Sequence, residues 1–154
     1  MDIRKATLDD MDLLIKLRID YLLEEHKEQG LNNRKDIEIK LRDYFCKLIP
    51  LNGFIAFFAE ENNMVCSTAF LSVVERPPMR ATTSNLCGTI YNVYTYPAYR
   101  DKGIATKLMA ALVAEAKLLN VSYLDLLATN AGTSLYKRAG FEEITKYTPM
   151  RMKI

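Results

Sequence analysis

The pattern of apolar and polar positions divides the chain into a helical first third, a strand-rich middle and a mixed last third. Residues 2–7 alternate weakly, which predicts a short first strand. Thr7 is placed as a helix cap ahead of an acidic first turn, and the helix is expected to run to about His26. From about Arg34, apolar residues recur at helical spacing until Pro50, which predicts a second helix.

The middle of the chain changes to the composition of strands, rich in β-branched and aromatic residues. The segments "GFIAFFAE" and "MVCSTAFLSVVE" are separated by the turn residues "ENN", which predicts a β-hairpin. A polar, proline-broken loop, "RPPMRATTSN", follows. The next segment, "GTIYNVYTY", predicts a third consecutive strand that stops at Pro97.

The last third returns to the helical period at Gly103 and then mixes short elements. The segment "VSYLDLLAT" is nearly all apolar, which is typical of a buried central strand. A short helix, "GTSLYKRA", is expected to end at Gly140. Two closing strands are predicted around Pro149, in "FEEITKY" and "MRMKI". The predicted order is β-α-α-β-β-β-α-β-α-β-β, a mixed α and β protein with one domain over residues 1–154.

Composition adds the properties of an ordinary globular domain. The chain has 154 residues and a net charge of +2, which gives no electrostatic reason to expect nucleic acid or a membrane as partner. The acidic start lacks the apolar run of a signal peptide, so a cytoplasmic protein is expected. The three cysteines lack metal-ligand spacing, so no metal is expected, and Cys46 and Cys66 are predicted to be buried, reduced thiols.

The segment "YRDKGIA", between a predicted strand and a predicted helix, has the features of an anion site. The first turn of a helix leaves backbone N–H groups unpaired and carries partial positive charge. Gly103 permits close approach of a ligand to the backbone, and Arg100 and Lys102 add charge suited to phosphate oxygens. Because the glycine spacing of a Walker loop and of the dinucleotide fingerprint is absent, neither of those sites is predicted.

Two motifs resemble the signatures of the GNAT superfamily of N-acetyltransferases. Arg100, Gly103 and Ala105 match its Arg/Gln-x-x-Gly-x-Gly/Ala signature, and "YNVYTYPAYRDKGIATKLM" resembles the surrounding strand-loop-helix unit. Further on, "ATNAGTSLYKRAGF" resembles the second signature of the family. The resemblance implies a central, mostly antiparallel sheet flanked by helices. It also implies transfer of an acetyl group from acetyl-CoA to an amine.

The resemblance also implies roles for particular residues. The backbone of Val93 and Thr95 would pair with the pantetheine arm of acetyl-CoA, and Asn130 would contact the same arm. Tyr136 would donate a proton to the departing thiolate, as a phenol that is protonated at neutral pH can do. The turn expected to hold the pyrophosphate comprises Arg100, Asp101, Lys102, Gly103, Ile104 and Ala105.

The general base stays open at this level. Many relatives use a glutamate on the fourth strand, whereas "GTIYNVYTYP" contains no carboxylate. Candidates elsewhere are Glu24, Glu25 and His26 near the end of the first helix, and Asp125 in the fifth strand. A chain of water molecules or a backbone carbonyl would serve equally.

The acceptor also stays open. Acceptor recognition is expected from residues 24–36, from the loop 76–85, and from Tyr91 or Asn92. The leading interpretation is an N-acetyltransferase for a primary amine of a small molecule or of a protein. The alternatives are a non-catalytic sensor that binds acyl-CoA and a scaffold with degenerate binding. Transfer to oxygen, acyl groups longer than acetyl, and a homodimer formed through the final strands are also compatible with the resemblance.

Overall fold

A computed structural model describes residues 1–25, 33–78 and 84–154, and the described part contains one sheet of five strands. The strands are β1 (Asp2–Lys5), β2 (Phe54–Glu61), β3 (Met64–Glu75), β4 (Leu86–Thr95) and β5 (Tyr123–Leu126). They lie side by side in chain order. The first four are antiparallel neighbours, whereas β4 and β5 are parallel. This mixed, mostly antiparallel sheet confirms the predicted fold class.

Among the described residues, four α-helices cover the sheet: α1 (Met11–Glu25), α2 (Arg34–Leu48), α3 (Ile104–Leu118) and α4 (Thr133–Arg138). The predicted cap at Thr7 is confirmed, since its hydroxyl accepts from the Asp9 N–H while Asp10 accepts from the Thr7 N–H. None of the described helices is both long and apolar enough to span a membrane.

Each face of the sheet has its own apolar core because successive strand residues point to opposite sides. Helix α1 and Phe45 of α2 pack on one face, against residues such as Phe58 and Phe70. Helix α3 packs on the other face, against the alternate residues of the same strands, such as Ala69 and Leu71. The two faces are called the α1 face and the α3 face below.

The prediction of two closing strands is wrong. Residues 141–154 contain no helix or strand, and their alternating apolar side chains are exposed: Met150 by 92%, Met152 by 81% and Ile154 by 111%. An alternating pattern produces a strand only where a neighbouring edge pairs with it and a surface buries one face. Because no strand follows β5, β5 is a half-buried edge strand and not the buried central strand that its composition predicts.

The cysteine prediction is only partly right. Cys66 and Cys87 are buried, the first on the α3 face of the sheet. Cys46 is exposed because it follows Phe45 on α2, and Phe45 is the residue by which that helix reaches the core.

Two irregularities in the sheet shape the end of β4. The register between β3 and β4 shifts between Thr68 and Phe70, where the left-handed Asn92 (φ 53°) adds a residue to β4. The pairing of β4 with β5 ends at Ile90 and Leu126, although β4 continues to Thr95. The two parallel strands therefore separate at their carboxyl ends.

Candidate functional site

The part of β4 beyond its pairing with β5 is an open edge. In this stretch Tyr91, Tyr94 and Thr95 remain paired with β3, which leaves the other edge facing the gap between the parallel strands. Val93 and Thr95 lie in it, half-buried, as the resemblance requires for backbone pairing with an extended arm. The bulge at Asn92 turns the strand at the point where the pairing is lost.

The chain leaves β4 and enters the turn 100–103, which leads directly into the first residue of α3, Ile104. Asp101 (φ 61°) and Gly103 (φ 72°) both adopt left-handed conformations. The first helical bond of α3 runs from the Lys107 N–H to the Gly103 carbonyl at 3.3 Å, so the N–H groups before Lys107 precede the helical ladder. No acidic residue occupies the first turn of α3, and a side chain added at Gly103 would meet nothing within 4 Å. This is an accessible, positively polarised helix start suited to a phosphate.

The residues of this turn differ in what they offer to a ligand at the start of α3. Arg100, Asp101, Lys102 and Gly103 are exposed. Ile104 is 1% exposed and packs in the core of the α3 face, so only its backbone is available to a ligand.

The side chain of Arg100 points toward α1. Its Nε donates to the Thr95 carbonyl at 2.9 Å, and its Nη2 pairs with Glu24 at 2.5 Å. Glu24 also accepts from the Tyr94 hydroxyl at 2.7 Å. Burial, and then this hydrogen bond, raise the pKa of Tyr94 well above the usual value of a tyrosine. The contacts fasten the end of α1 to the open stretch of β4 and to the turn before α3.

Tyr136 of α4 lies on the opposite side of the gap. Its ring packs edge-on against Phe141 and lines a cavity of about 620 Å³ beside β5, together with Leu126 and residues 141–145 and 147–149. Burial raises the pKa of Tyr136, so its phenol keeps its proton at neutral pH. Burial likewise raises the pKa of Tyr21 of α1, to about 12.

Asn130, the other residue expected at the pantetheine arm, is exposed in the turn between β5 and α4. It lies near the carboxyl end of β5, on the same side of the gap as Tyr136. The predicted residues therefore lie at or after the carboxyl ends of the two parallel strands: Val93, Thr95 and the turn 100–105 belong to the β4 side, and Asn130 and Tyr136 follow β5.

The candidate bases are separated by the structure. Glu24 contacts Tyr94 in the open stretch, and Glu25 accepts from the Tyr21 hydroxyl at 3.1 Å. Asp125 instead accepts from the Thr89 hydroxyl at 2.8 Å. Thr89 precedes Val93 on β4 by four residues, which separates the two by about 13 Å along an extended strand. His26 lies outside the described residues, as do residues 79–83 of the loop expected to contact the acceptor.

Arg18 is not among the site residues predicted from the sequence. Its guanidinium donates to the Oδ1 of Asn92 at 3.1 Å. Asn92 itself is 1% exposed, and its Nδ2 is without a hydrogen-bond partner in the described structure. An asparagine inside a strand of apolar and aromatic residues is unusual and is the one signal that the sequence offers. The partner on α1 becomes visible only when the helix is packed on the sheet.

Comparison with known proteins gives the family. The model of the GNAT acetyltransferase domain matches residues 52–143. The crystal structure of a predicted acetyltransferase with acetyl-CoA from Clostridium acetobutylicum has a TM-score of 0.85 at 32% identity, over 97% of this chain and 95% of that chain. The chain belongs to the GNAT acetyltransferase family. The resemblance inferred from the two motifs is confirmed, and the protein is an acetyltransferase.

More distant structures agree in fold. A GCN5-related N-acetyltransferase from Ralstonia eutropha has a TM-score of 0.81 at 24% identity, over 99% of this chain and 97% of that chain. A putative acetyltransferase from Agrobacterium tumefaciens has a TM-score of 0.72 at 22% identity, and each chain is covered completely. No curated protein matches the sequence. The GNAT fold is shared at full length, while the acceptor has to be inferred from the site of this chain.

Proposed function

We propose that this GNAT acetyltransferase transfers the acetyl group of acetyl-CoA directly to a primary amine of a small molecule or of a protein. The observation that carries the proposal is the continuous path from the open stretch of β4 to the start of α3. An extended pantetheine arm fits the first, and a pyrophosphate fits the second. The co-substrate would be held at both ends before any chemistry occurs.

The open stretch and the turn divide the binding between them. The free edge at Val93 and Thr95 supplies backbone groups for the amides of the arm, and an N–H group there polarises the thioester carbonyl. Asn130 bonds the arm from the β5 side. The turn 100–105 supplies the backbone N–H groups for the pyrophosphate, with Lys102 as added charge. Arg100 stabilises the turn through its bonds to Thr95 and Glu24.

The transfer itself is a substitution at the thioester carbonyl. The lone pair of the amine forms the new C–N bond, and the C–S bond breaks as the electron pair leaves with sulfur. Tyr136 donates its proton to that sulfur, and burial favours the protonated phenol needed for this. An amine bound as the ammonium first loses one proton to the base, and its nitrogen loses a second as the amide forms. One of these two protons restores the phenol of Tyr136 and the other leaves to solvent, so the products are the N-acetyl amine, free coenzyme A and one proton.

Glu24 is our assignment for the base, acting directly or through water. Strand β4 lacks a carboxylate of its own, and α1 provides one through the contact of Glu24 with Tyr94. An amine of pKa about 10 is mostly protonated at neutral pH, so a base must accept its proton before the lone pair of the nitrogen can attack the thioester. The other two described candidates have different contacts: Glu25 accepts from Tyr21, and Asp125 accepts from Thr89, four residues before Val93 on β4.

Calorimetric titration with acetyl-CoA tests the binding half of the proposal. Wild type is expected to bind in the micromolar range, and Gly103→Glu to lose at least about 100-fold in affinity, because a carboxylate would then face the pyrophosphate. Gly140→Glu is the matched control: it adds the same charge at another left-handed glycine, φ 94°, with no neighbour within 4 Å. Equal loss in both variants, or no binding by wild type, contradicts the assignment of the turn.

Release of free thiol with a panel of amines then tests the chemical half. Turnover with any primary amine, absent without the amine, supports the transferase. Binding of acetyl-CoA without turnover across the panel would favour the non-catalytic sensor instead. Turnover with alcohols in place of amines would move the reaction from nitrogen to oxygen.

A further inference from the structure

Helix α1 presents an arginine to the bulge of β4 at Asn92, and this arginine is held by neutral groups. Arg18 is half-buried, and its Nη1 donates to the Oδ1 of Asn92 at 3.1 Å. The guanidinium carbon lies 5.4 Å from the ring centroid of Tyr21 and 5.6 Å from that of Tyr91. The described groups in contact with this guanidinium are therefore two aromatic faces and one amide oxygen.

Several other charged residues of α1 have partners of opposite charge. Lys16 pairs with Asp20 at 2.5 Å, and Glu24 pairs with Arg100 at 2.5 Å. Within residues 1–25, 33–78 and 84–154, no carboxylate lies within 4.0 Å of the Arg18 guanidinium. Aromatic faces attract a cation but do not neutralise it. A half-buried cation with five donors thus retains capacity for an anion.

Asn92 holds the guanidinium of Arg18 from the side of β4. Arg18 has donors only, so the amide oxygen of Asn92 must face it, and this fixes the orientation of the amide. The Nδ2 is buried and lacks a partner in the described structure, which is costly for an amide group. The left-handed conformation at Asn92, φ 53°, belongs to the bulge beside the open stretch. The pair lies immediately before Val93.

We propose that the amine acceptor carries a carboxylate, which is bound by the guanidinium of Arg18. This inference rests on the proposed function, since it concerns the second substrate of the same transfer. A carboxylate has acceptors only and is planar, so it complements a guanidinium fork that lies against two aromatic rings and is oriented by Asn92. A water molecule would leave the charge of Arg18 uncompensated.

The position of the pair also limits the size of the acceptor. Asn92 adjoins Val93, whose backbone is assigned to the acetyl-carrying arm, so the amine and the carboxylate must be a few bonds apart. The acceptor class is therefore a compact amino acid, or the equivalent terminal unit of a larger molecule. The experiment can use amines that differ only in the carboxylate.

Initial rates with paired amines test the proposal. The pairs are β-alanine with ethylamine, and γ-aminobutyrate with propylamine, at saturating acetyl-CoA. Phosphoethanolamine is added as an amine with a phosphate. The ratio of kcat/KM within a pair is expected to favour the carboxylated amine by about 100-fold or more, because its loss leaves buried donors unpaired. A ratio near one, or preference for phosphoethanolamine, overturns the proposal while the transferase stands.

Two variants assign the preference to the pair. Arg18→Met removes the cation with similar bulk. Asn92→Asp preserves the shape and the left-handed conformation but gives Arg18 an internal carboxylate. Both are expected to reduce the within-pair ratio at least tenfold, with the affinity for acetyl-CoA changed by less than about threefold. Lys16→Met, which removes a cation elsewhere on α1, is the matched control and should leave the ratio unchanged.

The remaining outcomes are also decisive. If Arg18→Met lowers the rates of both members of a pair equally, the residue supports the fold alone and the proposal fails. If no amine of the panel is acetylated although acetyl-CoA binds, the proposed function fails first. In that case β-alanine is titrated calorimetrically into the protein with coenzyme A. Binding that is lost in Asn92→Asp supports the carboxylate site, and no binding to wild type overturns it.

Discussion

At the scale of single residues, the site depends on where burial changes the behaviour of ordinary side chains. Tyr136 and Tyr94 are both phenols with a raised pKa, but for different reasons. Burial alone acts on Tyr136, whereas Tyr94 also donates to the carboxylate of Glu24. The first phenol is available to a ligand and the second is engaged with the protein. Only Tyr136 is therefore assigned as an acid.

Removing the hydroxyl of Tyr136 is expected to affect the chemical step. In Tyr136→Phe, kcat should fall about 100-fold while the KM for acetyl-CoA stays nearly constant, because the proton donor is lost and the ring remains. An acid is lost as the pH rises through its pKa, so the raised pKa moves that loss to higher pH. The rate of wild type should accordingly show no decline from this group below about pH 10.

Steady-state kinetics across pH measures both effects. Tyr123→Phe is the control, since that hydroxyl accepts from Arg76 at the far end of β5. A decline of wild type near neutral pH that disappears in Tyr136→Phe would show that the pKa of this phenol is lowered, contrary to its burial.

The carboxylate of Glu24 gives the second prediction at this scale. Glu24→Gln should lower kcat/KM for the amine about 100-fold, since the proton acceptor is lost while the shape is kept. Because Arg100 and Glu24 are 44% and 30% exposed, the loss of their ion pair should cost only about 0–1 kcal/mol of unfolding free energy. Kinetics and thermal melting separate the two effects. Glu25→Gln is the matched control, and an equal loss there would remove the assignment of Glu24.

At the scale of elements, local patterns predicted what local forces determine. The helical period of α3 and the β-branched and aromatic composition of β2, β3 and β4 are properties of short segments, and these elements are confirmed. The closing strands were wrong because their pattern requires a partner edge, which no short segment reveals. The turn 100–105 came from a motif, whereas the contact of Arg18 with Asn92 depends on a bulge and on the placement of α1.

The contact between β4 and β5 provides a prediction at this scale. Gly88 of β4 pairs with Leu124, and a Cβ there would lie 2.4 Å from the Leu124 Cδ2 and 2.8 Å from the Leu71 Cδ1. Gly88→Ala should therefore lower the unfolding free energy by about 1–3 kcal/mol through overpacking. Chemical denaturation measures the change. In the double variant with Leu124→Ala, the cost should be smaller than the sum of the single costs, and simple additivity would contradict the contact.

At the scale of the whole molecule, the sheet has an edge that the described chain leaves uncovered by any strand. Strand β5 is the last of the sheet, and residues 141–154 pass beside it without pairing. The large apolar side chains exposed along this segment are those of Ile144, Tyr147, Met150, Met152 and Ile154. An unpaired edge next to exposed apolar residues is a common site of association between chains.

We therefore expect a homodimer that forms through residues 141–154, as the resemblance to the GNAT family implied for the final strands. Pairing of this segment with a second copy would bury the alternating side chains of Met150, Met152 and Ile154, which a single chain exposes.

Light scattering after size-exclusion chromatography should give about twice the mass of one chain, 17.6 kDa. Replacing Met150 and Met152 by glutamate should give the monomer with unchanged melting, since neither side chain packs in the core. Phe141→Ala serves as the contrast: this ring packs against Tyr136, so its loss should lower stability by about 3 kcal/mol or more. A monomeric wild type at high concentration would contradict the dimer and leave the segment as a wall of the cavity beside Tyr136 alone.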